Sequence, residues 1–194
     1  MKTFVKVGVT LGDPNGIGPE IILKTFSDIN HVNDSVIIIY SPVEILDYYL
    51  KILEIKMSYN ILNSSSDAKI GHVNVFPIEH SSYLVSMGTN SKASGEIAYN
   101  SLSAASKDII QNNIDCIVTA PIDKSTIQNK HFYFNGHTEY FTNLSNKNNS
   151  LMLMVKDKIK VGIVTNHIPV NEVSNSVTID KILKKIELMH QTLI

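Results

Sequence analysis

At 194 residues, 43% hydrophobic and 18% charged, the chain has the make-up of one large globular domain or one and a half small ones, which excludes the disordered class. Seventeen basic residues against 18 acidic ones, a net charge of -1 and no basic tract argue against nucleic acid as a main partner. A single cysteine, Cys116, excludes an internal disulfide, and no apolar run nears the roughly 20 residues of a membrane span, so a soluble, cytoplasmic protein is expected.

The first element is a predicted strand, FVKVGVT (4–10), rich in β-branched residues. A loop with Gly12, Gly16 and Gly18 follows. Pro19 then suits a first helical turn, and EIILKTFSDI (20–29) reads as the helix. SVIIIY (35–40) is a continuous apolar run, as in a strand buried on both faces. PVEILDYYLKILE (42–54) reads as a second helix. This alternation predicts an α/β fold with a largely parallel sheet. NSSSDAKIGH (63–72) reads as a polar surface connection. Between Ala93 and Asn112, the spacing of Ala98, Leu102, Ala105 and Ile109 makes one apolar helical face. DCIVTA (115–120) is expected to be another buried strand. LMLMVKD and KIKVGIVT flank an Asp157-Lys158 turn and read as an antiparallel hairpin, which makes the expected sheet mixed. From Thr178 onward, Ile179, Ile182, Leu183, Ile186, Met189 and Leu193 keep helical spacing up to Ile194 without a capping glycine. The expectation is a chain cut off within a larger architecture; a terminal helix docked on this domain is the alternative.

Four stretches can carry chemistry. GDPNGIGPEI (12–21) joins a strand end to a helix N-terminus, where ligands of α/β folds gather. Its glycines do not follow the GxGxxG spacing, and no GK[ST] closes it, so neither common phosphate motif applies. In IVTAPIDK (117–124), Asp123 and Lys124 follow a strand end, either as a solvated turn pair or as an orienting pair in a cleft. In FNGHTEYF (134–141), Thr138 suits a helix N-cap and places His137 beside a helix N-terminus. In IVTNHIPV (163–170), His167 follows a strand as a metal ligand, a base or a structural hydrogen-bonder. No HExxH or CxxC spacing makes a complete local metal site.

In series, GDPNGIGPE, SGEIAYNSL, IVTAPIDK, FNGHTEYF and VTNHIPV closely resemble the 4-hydroxythreonine-4-phosphate dehydrogenase family of vitamin B6 biosynthesis, over nearly the whole chain. The resemblance implies an isocitrate/isopropylmalate dehydrogenase-like α/β/α fold, with this chain as its N-terminal portion, cut off before the end of the second domain. It implies NAD and a divalent metal (zinc, magnesium or cobalt) as cofactors, a homodimer, and a phosphorylated small-molecule substrate. The implied reaction oxidises the C3 hydroxyl of 4-phosphooxy-L-threonine, and decarboxylation gives 3-amino-2-oxopropyl phosphate. Residue by residue it implies His137 and Thr138 as substrate-binding positions and His167 as a metal ligand. It leaves Asp13, Asp123 and Lys124 as cleft-lining residues without a role, and no catalytic residue is assigned.

The chain is shorter than family members, whose other two metal-binding histidines, phosphate-gripping residues and most of the NAD site belong to the part not in this sequence. Neither His31 nor the other remaining histidines sit in a motif that replaces them. The 194-residue chain alone is therefore expected to bind metal poorly and not to turn over. Asn15 and Asp123 occupy positions where the family commonly has other residues. A paralogous dehydrogenase of threonate or erythronate phosphate, a phosphate acyltransferase of related fold and a non-catalytic assembly module are the alternatives.

Overall fold

The structure is a computed structural model that describes residues 4–28, 32–147 and 149–193. Ile29, His31 and Ile194, each part of a sequence expectation, lie outside the described residues. The chain divides into two compact units, 1–137 and 138–194. Among the described residues no helix is long and apolar enough to cross a membrane.

The first unit is built on a five-stranded sheet in the order β3-β4-β2-β1-β5, every pairing parallel. Strands β1 (Val5–Thr10) and β2 (Ser35–Tyr40) pair in register from Val5 opposite Ser35 to Thr10 opposite Tyr40. The predicted double burial of β2 holds, because β1 flanks one edge and β4 (Val73–Phe76) the other, and Ile38, Ile39 and Tyr40 are fully buried. The short strand β3 (Tyr59–Ile61) ends the sheet on that side.

Strand β5 (Cys116–Thr119) departs from expectation. It is the opposite edge strand, and Val118 is 52% exposed, so the run is not buried. Its apolar residues alternate between the two faces of a strand that, among the described residues, has a neighbour on one side only.

Helix α1 (Gly18–Phe26) starts two residues before the predicted helix, with Pro19 in its first turn and Glu20 paired to Lys24. Helix α2 (Val43–Ile52) follows Pro42 and buries Ile45, Leu46 and Tyr49. Helix α3 (Lys92–Ile110) is capped by Ser91, whose hydroxyl accepts the Ser94 N–H at 3.0 Å. Of the predicted face, Ala98, Leu102 and Ala105 are buried and Ile109, in the last turn, is partly buried; Ile97 is buried as well, and α3 packs against β1, β2 and β5. The polar stretch 63–72 is not wholly surface: a short 3-10 turn, Ser65–Asp67, buries Ser65 against Asp108.

The second unit holds a hairpin, β6 (Met152–Lys156) and β7 (Ile159–Ile163), turning at Asp157 in the left-handed region, φ 51°. The antiparallel pairing is the predicted one, but it forms a two-stranded sheet of its own, so the five-stranded sheet is parallel rather than mixed. Helices α5 (Val173–Ser176) and α6 (Ile179–Leu193) complete this unit. In chain order, α4 (His137–Leu144) follows β5 and precedes the hairpin.

Candidate functional site

The chain leaves β1 toward β2 and β4 and returns to the other side of β1 as β5. The carboxyl ends of β1 and β5 therefore flank the point where strand order reverses, the place where open α/β sheets bind ligands. The glycine loop sits there. Gly12 has φ 72°, and a Cβ on it would lie 2.3 Å from the Pro121 carbonyl oxygen. Only glycine combines that backbone angle with that approach. The Asp13 N–H donates to the same oxygen at 2.9 Å, which ties the loop after β1 to the loop after β5. Gly18 brings the start of α1 against the end of β1, since its Cβ would meet the Leu11 carbonyl oxygen at 2.5 Å.

A cleft of about 340 Å³ opens where these loops meet, lined by Asp13, Asn15, Gly16, Thr89, Pro121 and Asp123 among others. Two larger clefts, of about 550 and 590 Å³, run along the flanks of α3. Neither is lined by a predicted site residue. The smaller cleft collects two, Asp13 and Asp123, at the sheet's switch point, and is the better candidate on geometry.

Asp13 is nearly buried, and its Oδ1 accepts the Asn15 N–H at 2.9 Å. Asp123 Oδ1 accepts the Ser125 hydroxyl at 2.5 Å, the Ser125 N–H at 2.7 Å and the Thr126 N–H at 3.1 Å. These bonds, the Ser125 hydroxyl first, hold the Asp123 carboxyl below the usual carboxylate range. Asp123 thus shapes the turn after β5 as well as lining the cleft. Lys124 follows it in the same turn, exposed, and is not among the cleft-lining residues.

His137 is the first residue of α4, and Thr138 lies inside its first turn rather than capping it. The Thr138 carbonyl accepts the Thr142 hydroxyl at 2.7 Å. Burial pushes the half-buried His137 imidazole below its ordinary value, so near neutral pH it is uncharged, with one N–H donor and one lone pair. His167 belongs to the second unit, in the loop after β7, exposed and with φ 42°. The strand before it is largely exposed. Among the described residues no group of three or more His, Cys, Asp and Glu side chains lies close enough to hold a metal ion. A catalytic metal takes about three protein ligands. The described residues therefore do not by themselves make a complete metal centre around His167.

The sequence reading missed the loop 83–90. Gly88, Thr89 and Asn90 line the cleft, and Tyr83 and Ser86 bond to Asn15. The run Gly88-Thr89-Asn90-Ser91 carries turn composition, a signal that could have found the loop though not its destination.

The family model for the pyridoxal phosphate biosynthetic protein PdxA matches residues 33–194. The chain belongs to this family. It is 37% identical over 190 residues to a 4-hydroxythreonine-4-phosphate dehydrogenase of Bacteroides thetaiotaomicron, covering 97% of this chain and 52% of that one. It is 34% identical over 194 residues to the Hydrogenobaculum sp. enzyme of the same description, covering 97% of this chain and 58% of that one. A crystal structure of 4-hydroxythreonine-4-phosphate dehydrogenase from Klebsiella pneumoniae superimposes with a TM-score of 0.87 at 22% identity, covering 98% of this chain and 59% of that one. That likeness carries the α/β fold of the family. The chain spans just over half the length of these relatives.

Proposed function

We propose that the chain forms the glycine-loop portion of a cytoplasmic, homodimeric, NAD-dependent dehydrogenase that oxidises 4-phosphooxy-L-threonine in pyridoxal phosphate biosynthesis. The observation that carries this reading is the cleft at the β1/β5 switch point, closed by the Gly12 and Gly16 loop, in a chain of this family. Gly16 lets a flat cofactor ring approach the backbone, and the exposed Ile17 beside it offers an apolar edge. The neutral His137 and the N-terminus of α4 supply hydrogen bonds to an oxygen-rich substrate, with Thr138 next to them.

NAD, held at the cleft beside Gly16 and Ile17, would supply the hydride acceptor for C3 while the C3 hydroxyl gives up its proton. The β-keto acid then releases carbon dioxide, the C–C bonding pair passing into an enolate that is protonated to 3-amino-2-oxopropyl phosphate. The divalent metal implied for the family (zinc, magnesium or cobalt) would meet this chain at His167.

The test is calorimetric titration of the purified chain with NAD, then NADH absorbance with NAD, Mg²⁺ and 4-phosphooxy-L-threonine. Saturable NAD binding is expected. A chain that binds no NAD overturns the cofactor assignment. Turnover of threonate or erythronate phosphate in preference to 4-phosphooxy-L-threonine, by the chain extended at its C-terminus to the length of its relatives, moves the substrate assignment to that class.

A further inference from the structure

The connection from β4 to α3, residues 77–91, is a long segment without regular structure, and connections of that length inside a compact unit are uncommon unless they serve a site. It is held to the glycine loop at Asn15, by the side chain and by the backbone carbonyl. Asn15 Oδ1 accepts the Tyr83 hydroxyl at 2.7 Å and the Ser86 N–H at 2.9 Å. Its Nδ2 donates to the Thr89 carbonyl at 2.9 Å and lies 3.3 Å from the Thr89 hydroxyl. Its own carbonyl accepts the Gly88 N–H at 2.9 Å. The carboxamide is therefore fully used, and the residue is only 5% exposed.

Asn15 itself stands on rigid ground. Its N–H donates to Asp13 Oδ1, Asp13 is tied to Pro121, and the Pro14 carbonyl accepts the buried Tyr49 hydroxyl at 2.8 Å. Gly88, Thr89 and Asn90, the residues the latch positions, line the cleft beside Gly16 and Ile17.

We propose that Asn15 is a positioning residue that latches the loop 83–90 as one wall of the ligand cleft and so sets the cleft's affinity for its ligand. For the ligand this rests on the reading of the cleft as an NAD site; for the latch it does not. Asparagine suits the task because it alone offers two acceptor sites and two donors at the end of a short side chain.

The experiment pairs hydrogen exchange with NAD titration, in the full chain, on wild type and Asn15→Ala. In Asn15→Ala the Gly88 and Thr89 amides keep their own acceptors, the Asn15 and Ser86 carbonyls, so their exchange reports displacement of the loop rather than the loss of a partner. The expected result is lost protection at Ser86, Gly88 and Thr89 together, with NAD binding weakened about tenfold or more and helix content unchanged. Asn15→Asp keeps the acceptors for Tyr83 and Ser86 and is expected to return part of both signals. If Asn15→Ala does not fold, Tyr83→Phe removes one latch bond at the rim and is expected to give a smaller change of the same kind.

Loss of protection at Ser86 alone, with Gly88 and Thr89 unchanged, overturns the latch. Displacement of the loop with unchanged NAD affinity overturns the claim that this wall sets affinity. A wild type that binds no NAD, with all three amides deprotected in Asn15→Ala, sinks the cofactor reading and supports the latch.

Discussion

Ser101 holds the point where β1 leaves the sheet. It lies fully buried on α3, where its hydroxyl accepts the Leu11 N–H at 2.8 Å and donates to the Tyr40 carbonyl at 2.7 Å. The strands β1 and β2 pair as far as Thr10 and Tyr40, and beyond that rung the hydroxyl serves both backbones. Removing it in Ser101→Ala orphans a buried donor and a buried acceptor, an expected loss of about 2–4 kcal/mol in urea unfolding. Valine there adds bulk without the bonds and is expected to cost more. His137 gives a pH signature. Its native pKa is depressed below the ordinary 6.5 by burial, so as pH falls past 6.5 the unfolded chain takes up a proton that the folded chain refuses. Its contribution to stability is therefore complete above 6.5, declines as pH drops, and levels off below the depressed native value. The Tm difference between wild type and His137→Gln, measured across that window, is expected to trace this slope; a difference independent of pH would contradict it.

Elements with a strong period were legible in the sequence, and contacts across long separations were not. The helix face of Ala98, Leu102 and Ala105 was readable because it repeats every turn, and the Asp157-Lys158 turn because it is local chemistry. The order of the parallel strands was not, since a crossover between parallel strands leaves no turn signature at either end. For the same reason DCIVTA read as buried: its apolar residues do not say which edge of the sheet they reach. The glycine loop was visible as a strand-to-helix turn, while the partners of Asn15 come 68 to 74 residues later and nothing near it points to them. Gly95 is a further case. It looks like a weak point in a long helix, yet a Cβ there would lie 2.0 Å from the Thr126 carbonyl oxygen, in the turn that Asp123 organises. The helix tolerates glycine because it lets α3 press against the loop after β5. Gly95→Ala, which raises helix propensity, is expected to destabilise by about 1–3 kcal/mol because the turn must move. Chemical denaturation checks the sign: a gain in stability would mean the turn yields freely.

The two units differ in how much core each has. In the first, Leu11, Leu23, Ile38, Ile39, Leu46 and Leu102 are at or near zero exposure around the sheet. In the second, the described residues of β6, β7, α5 and α6 include no buried side chain, and Tyr140 on α4 is the buried apolar residue. Ile159, Ile179, Leu183 and Ile186 are more than half exposed, so the regular spacing of α6 makes an apolar stripe that the described residues do not cover. Local stability follows buried apolar area and the protection of backbone bonds from water. Opening of the hairpin and α6 is therefore expected to cost much less than opening of β1, β2 and α3. Hydrogen exchange on the chain should show amides of 152–163 and 179–193 exchanging at least about tenfold faster than those of β2 and of α3, and calorimetry a transition that is not two-state. Uniform slow exchange across both units would mean that the stripe on α6 is covered in solution, for instance by a second copy, and sedimentation of the same sample would then read above the monomer mass of 21.6 kDa. Fast exchange in a monomer ties the exposed stripe to a soft second unit, and His167 would then sit on the less stable part of the chain.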